Sequence, residues 1–135
     1  MPSPKLPPPL KPGDTIGVMA PSSRFPHADL EAGAKILEGY GYKVFIHPQC
    51  YETLHQSAGT HEQKISALHE LAGDKNINAV FFAAGGNRAL HLLDHIDYGL
   101  IAKNPKIYMG FSDCTALLNA FAARCGLVAW HGPTL

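Results

Sequence analysis

The sequence has little of what marks several large classes of protein. Its three cysteines, Cys50, Cys114 and Cys125, are an odd number at no metal-like spacing, which argues against a disulfide framework and for a reducing compartment. No apolar run approaches the roughly 20 residues that a membrane helix needs. Neither sign of charge is in excess, since 11 Lys and Arg balance 11 Asp and Glu. No electrostatic footprint for nucleic acid or an anionic membrane follows from that balance. The N-terminus lacks the basic-then-apolar pattern of a secretory signal. A G-x-G-x-x-G fingerprint and a Walker A loop are both missing.

What is present is a globular composition, with 46% hydrophobic and 16% charged residues in a chain of 135, enough for one domain with a core. Six of the first twelve residues are proline. Residues 1–12 are therefore expected to be an extended, polyproline-like lead-in that behaves as a disordered tail. The domain proper is expected over 13–135.

From there, short β-like runs alternate with helical ones. Strands are expected at Thr15–Ala20, Lys43–Ile46, Asn78–Ala84, Lys106–Phe111 and from Leu127 to Trp130. Helices are expected at Asp29–Gly41, His61–Ala72, Arg88–Ile96 and Asp113–Cys125. Thr60 is placed as an N-cap, Asp97 as the cap of a short turn over Tyr98–Lys103, and Gly126 as a C′ residue. This alternation predicts an α/β domain, a three-layer arrangement with a mostly parallel sheet and helices on both faces. Ligands of such sheets sit at the C-terminal ends of the strands. Three turns fall there: Pro21-Ser22-Ser23, Gly85-Gly86-Asn87 and Ser112-Asp113.

The sharpest local feature is Gly110-Phe111-Ser112-Asp113-Cys114-Thr115, a strand running straight into a helix. A tight turn of this kind exposes a hydroxyl beside backbone N–H groups that can hold an oxyanion. It is not G-x-S-x-G, because Cys114 stands at the second glycine. A serine before a helix is also the standard N-cap, so both readings stand. Cys114 is a rival nucleophile, as in an amidotransferase-like enzyme. Its spacing with Leu117, Leu118, Phe121 and Cys125 predicts burial instead. Gly85-Gly86 suits close approach of backbone to a ligand, or a plain turn. Among eight histidines, His91 and His95 have a zinc-compatible spacing without a third ligand and read as a solvated helix flank. A non-catalytic module that holds a phosphate or carboxylate at the glycine turn is the alternative to an enzyme.

Gly13-Asp14-Thr15-Ile16-Gly17-Val18, Ala20-Pro21-Ser22-Ser23, Gly85-Gly86, Leu92-Leu93-Asp94, Asp97-Tyr98, Lys103-Asn104-Pro105-Lys106, Gly110-Phe111-Ser112-Asp113, Thr115-Ala116-Leu117 and His131-Gly132-Pro133 occur in one order. Together they resemble the serine LD-carboxypeptidases, the muramoyltetrapeptide carboxypeptidases and microcin-immunity peptidases. The resemblance implies a cytoplasmic bacterial hydrolase that cuts the bond to a terminal D-amino acid, typically the D-alanine of murein tetrapeptides. It implies a serine, histidine and glutamate triad, no cofactor and no metal. By position Ser112 matches the nucleophile, and the backbone of Asp113, Gly85 and Gly86 matches the oxyanion hole. Ser22, Asn87 and Arg88 are expected to contact substrate. The family has an arginine before the glycine pair and an aromatic residue after it, where this chain has Ala84 and Asn87. A flavodoxin-like strand order is expected by analogy.

The family's glutamate and histidine lie in a C-terminal domain beyond Leu135. The chain thus looks like an N-terminal domain that is inactive by itself. Its uncovered surface makes a homodimer the expected partner state, with exchange of the C-terminal strand as one route to it.

Overall fold

In the computed structural model, which describes residues 3–135, five parallel strands form one sheet. They are β1 (Thr15–Met19), β2 (Lys43–Ile46), β3 (Ala79–Phe82), β4 (Ile107–Gly110) and β5 (Trp130–His131). The order is β2-β1-β3-β4-β5, the flavodoxin-like order. Ile16 pairs with Val44 on one side and Ala79 on the other, so β1 is central. Its residues Ile16, Val18 and Met19 are fully buried, as a parallel strand covered on both faces requires.

Helices α1 (His27–Gly39), α2 (His61–Gly73), α3 (Tyr98–Lys103) and α4 (Thr115–Cys125) make the crossovers. Val80, Phe82 and Tyr108 face α2 and α4 in the larger core, with Leu68, Leu71, Leu117 and Phe121. Val18, Ala20 and Ala83 face α1 and the 47–59 segment, with Leu30, Cys50 and Ala58. The expected three-layer fold is thus present.

Local chemistry accounts for the helix ends. Thr60 and Gln63 form a reciprocal capping box at the start of α2. Asp97 caps α3 through the Leu100 N–H, and Gly126 closes α4 with φ 66°. The Lys106 ammonium donates to the carbonyls of Leu71 (3.1 Å), Ile77 (2.6 Å) and Asp74, where α2 ends.

Three expectations need correction. The Arg88–Ile96 helix is a 3-10 helix over Ala89–His95. An α-helix would need the Leu93 carbonyl for the Asp97 N–H. The Tyr98 hydroxyl takes that carbonyl instead, at 2.8 Å, and the Asp97 N–H goes to His69 Nε2. Secondly, the last strand starts at Trp130 rather than Leu127, because Leu127 bridges Lys5. Thirdly, the lead-in is therefore docked rather than loose. The Lys5 N–H meets the Gly126 carbonyl at 2.6 Å, the Val128 N–H meets the Lys5 carbonyl at 2.9 Å, and Pro7 is buried. Residues 1 and 2 lie outside the described part.

Tyr108 is fully buried in the larger core, and its hydroxyl has no hydrogen-bond partner among the described residues. An unsatisfied buried hydroxyl costs about 1–3 kcal/mol. Tyr108→Phe is expected to raise stability by about 1 kcal/mol, read as a higher midpoint in thermal melting. A lower midpoint would mean that the hydroxyl has found a partner.

Candidate active site

At the C-terminal end of β4 the chain turns sharply. Phe111 is extended, and Ser112 then takes φ 56°, one of two non-glycine residues with positive φ among those described. A single 3-10 turn over Ser112–Cys114 leads into α4. The Ser112 side chain caps no helix, so the N-cap reading fails. A side chain held in the left-handed region costs about 1–2 kcal/mol and persists only where the surroundings impose it. Here the turn presents an exposed serine at the sheet's ligand-binding end.

The glycine turn lies against this elbow. A Cβ on Gly85 would stand 3.1 Å from Ser112 Cβ and 3.4 Å from the Asp113 nitrogen. Among the described residues, the N–H groups of Gly85, Gly86 and Asp113 make no hydrogen bond within the chain. Free backbone donors grouped beside an exposed hydroxyl are what an oxyanion hole consists of.

The Asp113 side chain has a separate task. One of its oxygens accepts the N–H of Arg88 at 3.0 Å and of Ala89 at 2.9 Å, which ties the elbow to the start of the 3-10 helix. Ser22 is fully buried, and its hydroxyl accepts the same Arg88 N–H at 2.9 Å. That engagement makes Ser22 a support for the turn, although substrate contact was expected of it. Asn87 is exposed and accepts from the Arg88 guanidinium at 2.9 Å. Arg88 itself borders an open groove that continues past Gly59, Thr60 and His61.

The rival nucleophile fails on burial. Cys114 is fully buried and its thiol donates to the Ala84 carbonyl at 3.2 Å. Burial pushes that thiol up to about 12, where the thiolate is absent near neutral pH. Cys50, uninterpreted from sequence, is equally buried and also raised to about 12 by burial.

No imidazole or carboxylate hydrogen-bonds the Ser112 hydroxyl among the described residues. The nearest imidazole, His131, stacks on Phe111 and approaches the Ser112 backbone nitrogen at 3.4 Å, not the hydroxyl. His91 stacks on His61, with ring centroids 5.6 Å apart. Among the described residues no three His, Cys, Asp or Glu side chains converge as a metal site.

Sequence reasoning missed two groups. Gln49 is buried behind β1, and its amide spans the Ala20 N–H and the carbonyls of Ala20 and Ala58. Lys64 is fully buried below Ser22. The Thr60/Gln63 capping box was a usable signal for the second. It fixes the start of α2 and so puts Lys64 on the inward face, one turn before Leu68.

Comparison with known proteins decides the family. Residues 16–132 match the LD-carboxypeptidase N-terminal domain. The chain belongs to that family. A probable murein peptide carboxypeptidase of Bacillus subtilis is 36% identical over 126 residues, covering 93% of this chain and 40% of that protein. The murein tetrapeptide carboxypeptidase of Pseudomonas aeruginosa is 36% identical over 119 residues, covering 87% and 38%. A structure of a mutant microcin C7 self-immunity protein, MccF, in complex with adenosine monophosphate superimposes with a TM-score of 0.93. It is 32% identical and covers 98% of this chain and 40% of that one. The same immunity protein with aspartyl sulfamoyl adenosine gives 0.88 at 33% identity, again over 98% and 40%. This LD-carboxypeptidase domain thus spans about 40% of the length of the relatives it matches.

Proposed function

We propose that this domain supplies the nucleophile and oxyanion hole of a serine LD-carboxypeptidase that releases D-alanine from murein tetrapeptides. The carrying observation is the left-handed Ser112, exposed beside the free N–H groups of Gly85, Gly86 and Asp113. Ser112 Oγ attacks the carbonyl carbon of the bond to the terminal D-residue. Its proton passes to a base and then to the departing amine. The C–N bond breaks, and water then hydrolyses the acyl-serine. Arg88 and Asn87 at the glycine turn receive the peptide's terminal carboxylate.

A serine without a hydrogen-bonded base is a weak nucleophile. The reading therefore makes residues 1–135 alone inactive, with the histidine and glutamate contributed by the rest of a longer, cytoplasmic protein. No helix among the described residues is long and apolar enough to cross a membrane. A homodimer belongs to the same reading, and a light-scattering mass of one chain at high concentration would dispose of it.

The deciding assay uses the full-length gene product with a murein tetrapeptide and mass-spectrometric detection of D-alanine. Release is expected from the full-length product and not from residues 1–135. Failure of the full-length protein to release D-alanine overturns the reading. A second substrate class is favoured by one observation, the adenosine monophosphate and aspartyl sulfamoyl adenosine held by the MccF structures. Under that reading a nucleotide at a hundredfold excess over its dissociation constant stabilises the protein by about 2.7 kcal/mol, and a tetrapeptide is left uncut.

A further inference from the structure

Lys64 is a buried cation that the chemistry above does not use. It lies on α2 with no solvent exposure. No carboxylate pairs with it, since the only ion pair among the described residues joins His47 to Glu70. An ammonium has three donors, and two are spent on neutral oxygens: the Ser22 carbonyl at 2.9 Å and the Ser57 hydroxyl at 2.6 Å. Burying a charge without a counter-charge is costly, and a methionine of similar length would fill the same space without that cost.

The oxygens it holds lead into the site. The Ser22 carbonyl also accepts the Ala58 N–H at 3.1 Å, so Lys64 clamps the Pro21–Ser23 segment to the 57–59 segment. From there the Ser22 hydroxyl takes the Arg88 N–H, and the Ser23 N–H holds the Gly85 carbonyl at 3.1 Å. The Arg88 N–H is shared with Asp113, the residue after the nucleophile. One short chain of contacts therefore links Lys64, Ser22, Arg88 and Asp113.

We propose that Lys64 is a positioning residue, whose buried ammonium holds the Ser22 segment and, through it, the glycine turn and Asp113 in register with Ser112. This rests on the peptidase reading for its effect on rate, but not for its effect on structure. The charged groups that face the ammonium are Asp113, which favours its charge, and Arg88, which opposes it; His61, held below its ordinary value by burial and then by Lys64, is neutral where Lys64 titrates. Burial, then Arg88, lowers Lys64 to about 8, against the weaker pull of Asp113. The clamp is charged at neutral pH and discharges as the solution turns mildly alkaline.

The test uses the full-length protein with Lys64→Met and Lys64→Arg. Lys64→Met is expected to keep its fold by circular dichroism while kcat for D-alanine release drops about 100-fold, with KM changed by much less. Lys64→Arg, which stays charged, is expected to recover part of that kcat and to move the alkaline limb of the pH profile upward. Amide hydrogen exchange reads the same clamp without turnover. At Arg88 and Ala89 it is expected to speed up about tenfold in Lys64→Met, with Phe121 in α4 unchanged. Unaltered exchange at Arg88 and Ala89 overturns the proposal whatever the activity. If wild type releases no D-alanine, the peptidase reading fails while the exchange result still decides the clamp. If Lys64→Met does not fold, wild-type exchange is followed through pH 8. Protection at Arg88 and Ala89, corrected for intrinsic rates, should fall relative to Phe121, and constant relative protection overturns the proposal.

Discussion

Ser112→Ala in the full-length protein is expected to lower kcat for D-alanine release by about 10⁴- to 10⁶-fold, the range seen when a catalytic serine is removed. What survives is the contribution of the oxyanion donors and of binding, which do not need the hydroxyl. The substitution should leave the fold alone. Ser112 is exposed, its hydroxyl has no partner among the described residues, and alanine keeps the same backbone. Ser112→Gly should be as inactive as Ser112→Ala and more stable by about 1 kcal/mol, because glycine accepts φ 56° without steric cost. The two variants separate catalysis from strain when D-alanine release and thermal midpoints are measured together. Wild-type rates from Ser112→Ala would remove Ser112 from the chemistry. Equal midpoints for the two variants would remove the strain.

Gly86→Ala carries the second large effect. Gly86 has φ 148°, and its Cβ would stand 2.5 Å from the Ser22 hydroxyl and 3.0 Å from the Ser23 nitrogen, besides meeting the Ser23 hydroxyl. Ser22 cannot retreat, since it is fully buried and holds both the Arg88 N–H and the Lys64 ammonium. The turn must move instead, and the oxyanion donors move with it. A destabilisation of about 1–3 kcal/mol is expected from the backbone alone, and a loss in kcat of about 100-fold from displacement near 1 Å. Gly39→Ala is the control. No atom lies within 4 Å of its Cβ, so a change within about 0.5 kcal/mol is expected. Equal melting of the two variants would show that the turn has room.

The contrast between these glycines also shows what could be read beforehand. Elements governed by neighbours in sequence were legible. Thr60, Asp97 and Gly126 cap where expected because a cap is a contract among residues three or four apart. The strand runs were legible because burial on both faces leaves them apolar. The elbow was visible as Gly110-Phe111-Ser112-Asp113, but cap and nucleophile share that spelling, and only φ at Ser112 separates them. What stayed hidden depends on distant partners. The 3-10 form of Ala89–His95 follows from Tyr98 and His69. The use of the Asp113 carboxylate follows from Arg88, 25 positions away. The capping box sets the inward direction of Lys64, but the carbonyl that receives its ammonium is that of Ser22, 42 positions away.

The docked lead-in bears on how copies of this molecule can meet. β5 is the last strand of the sheet, and an open outer strand is a template for a second sheet in another molecule. The Lys5 bridge lies at Leu127, three residues before β5, and prolines at 4, 7, 8 and 9 flank it with nitrogens that cannot donate. That rung is one residue long and cannot propagate. β5 is itself only two residues long, so a strand exchanged at this side has little to pair with. The opposite border, β2, is short and carries exposed Lys43 and Phe45, a charge beside an aromatic. Cross-β growth, where conditions drive it, is thereby directed to the longer Lys43–Ile46 side.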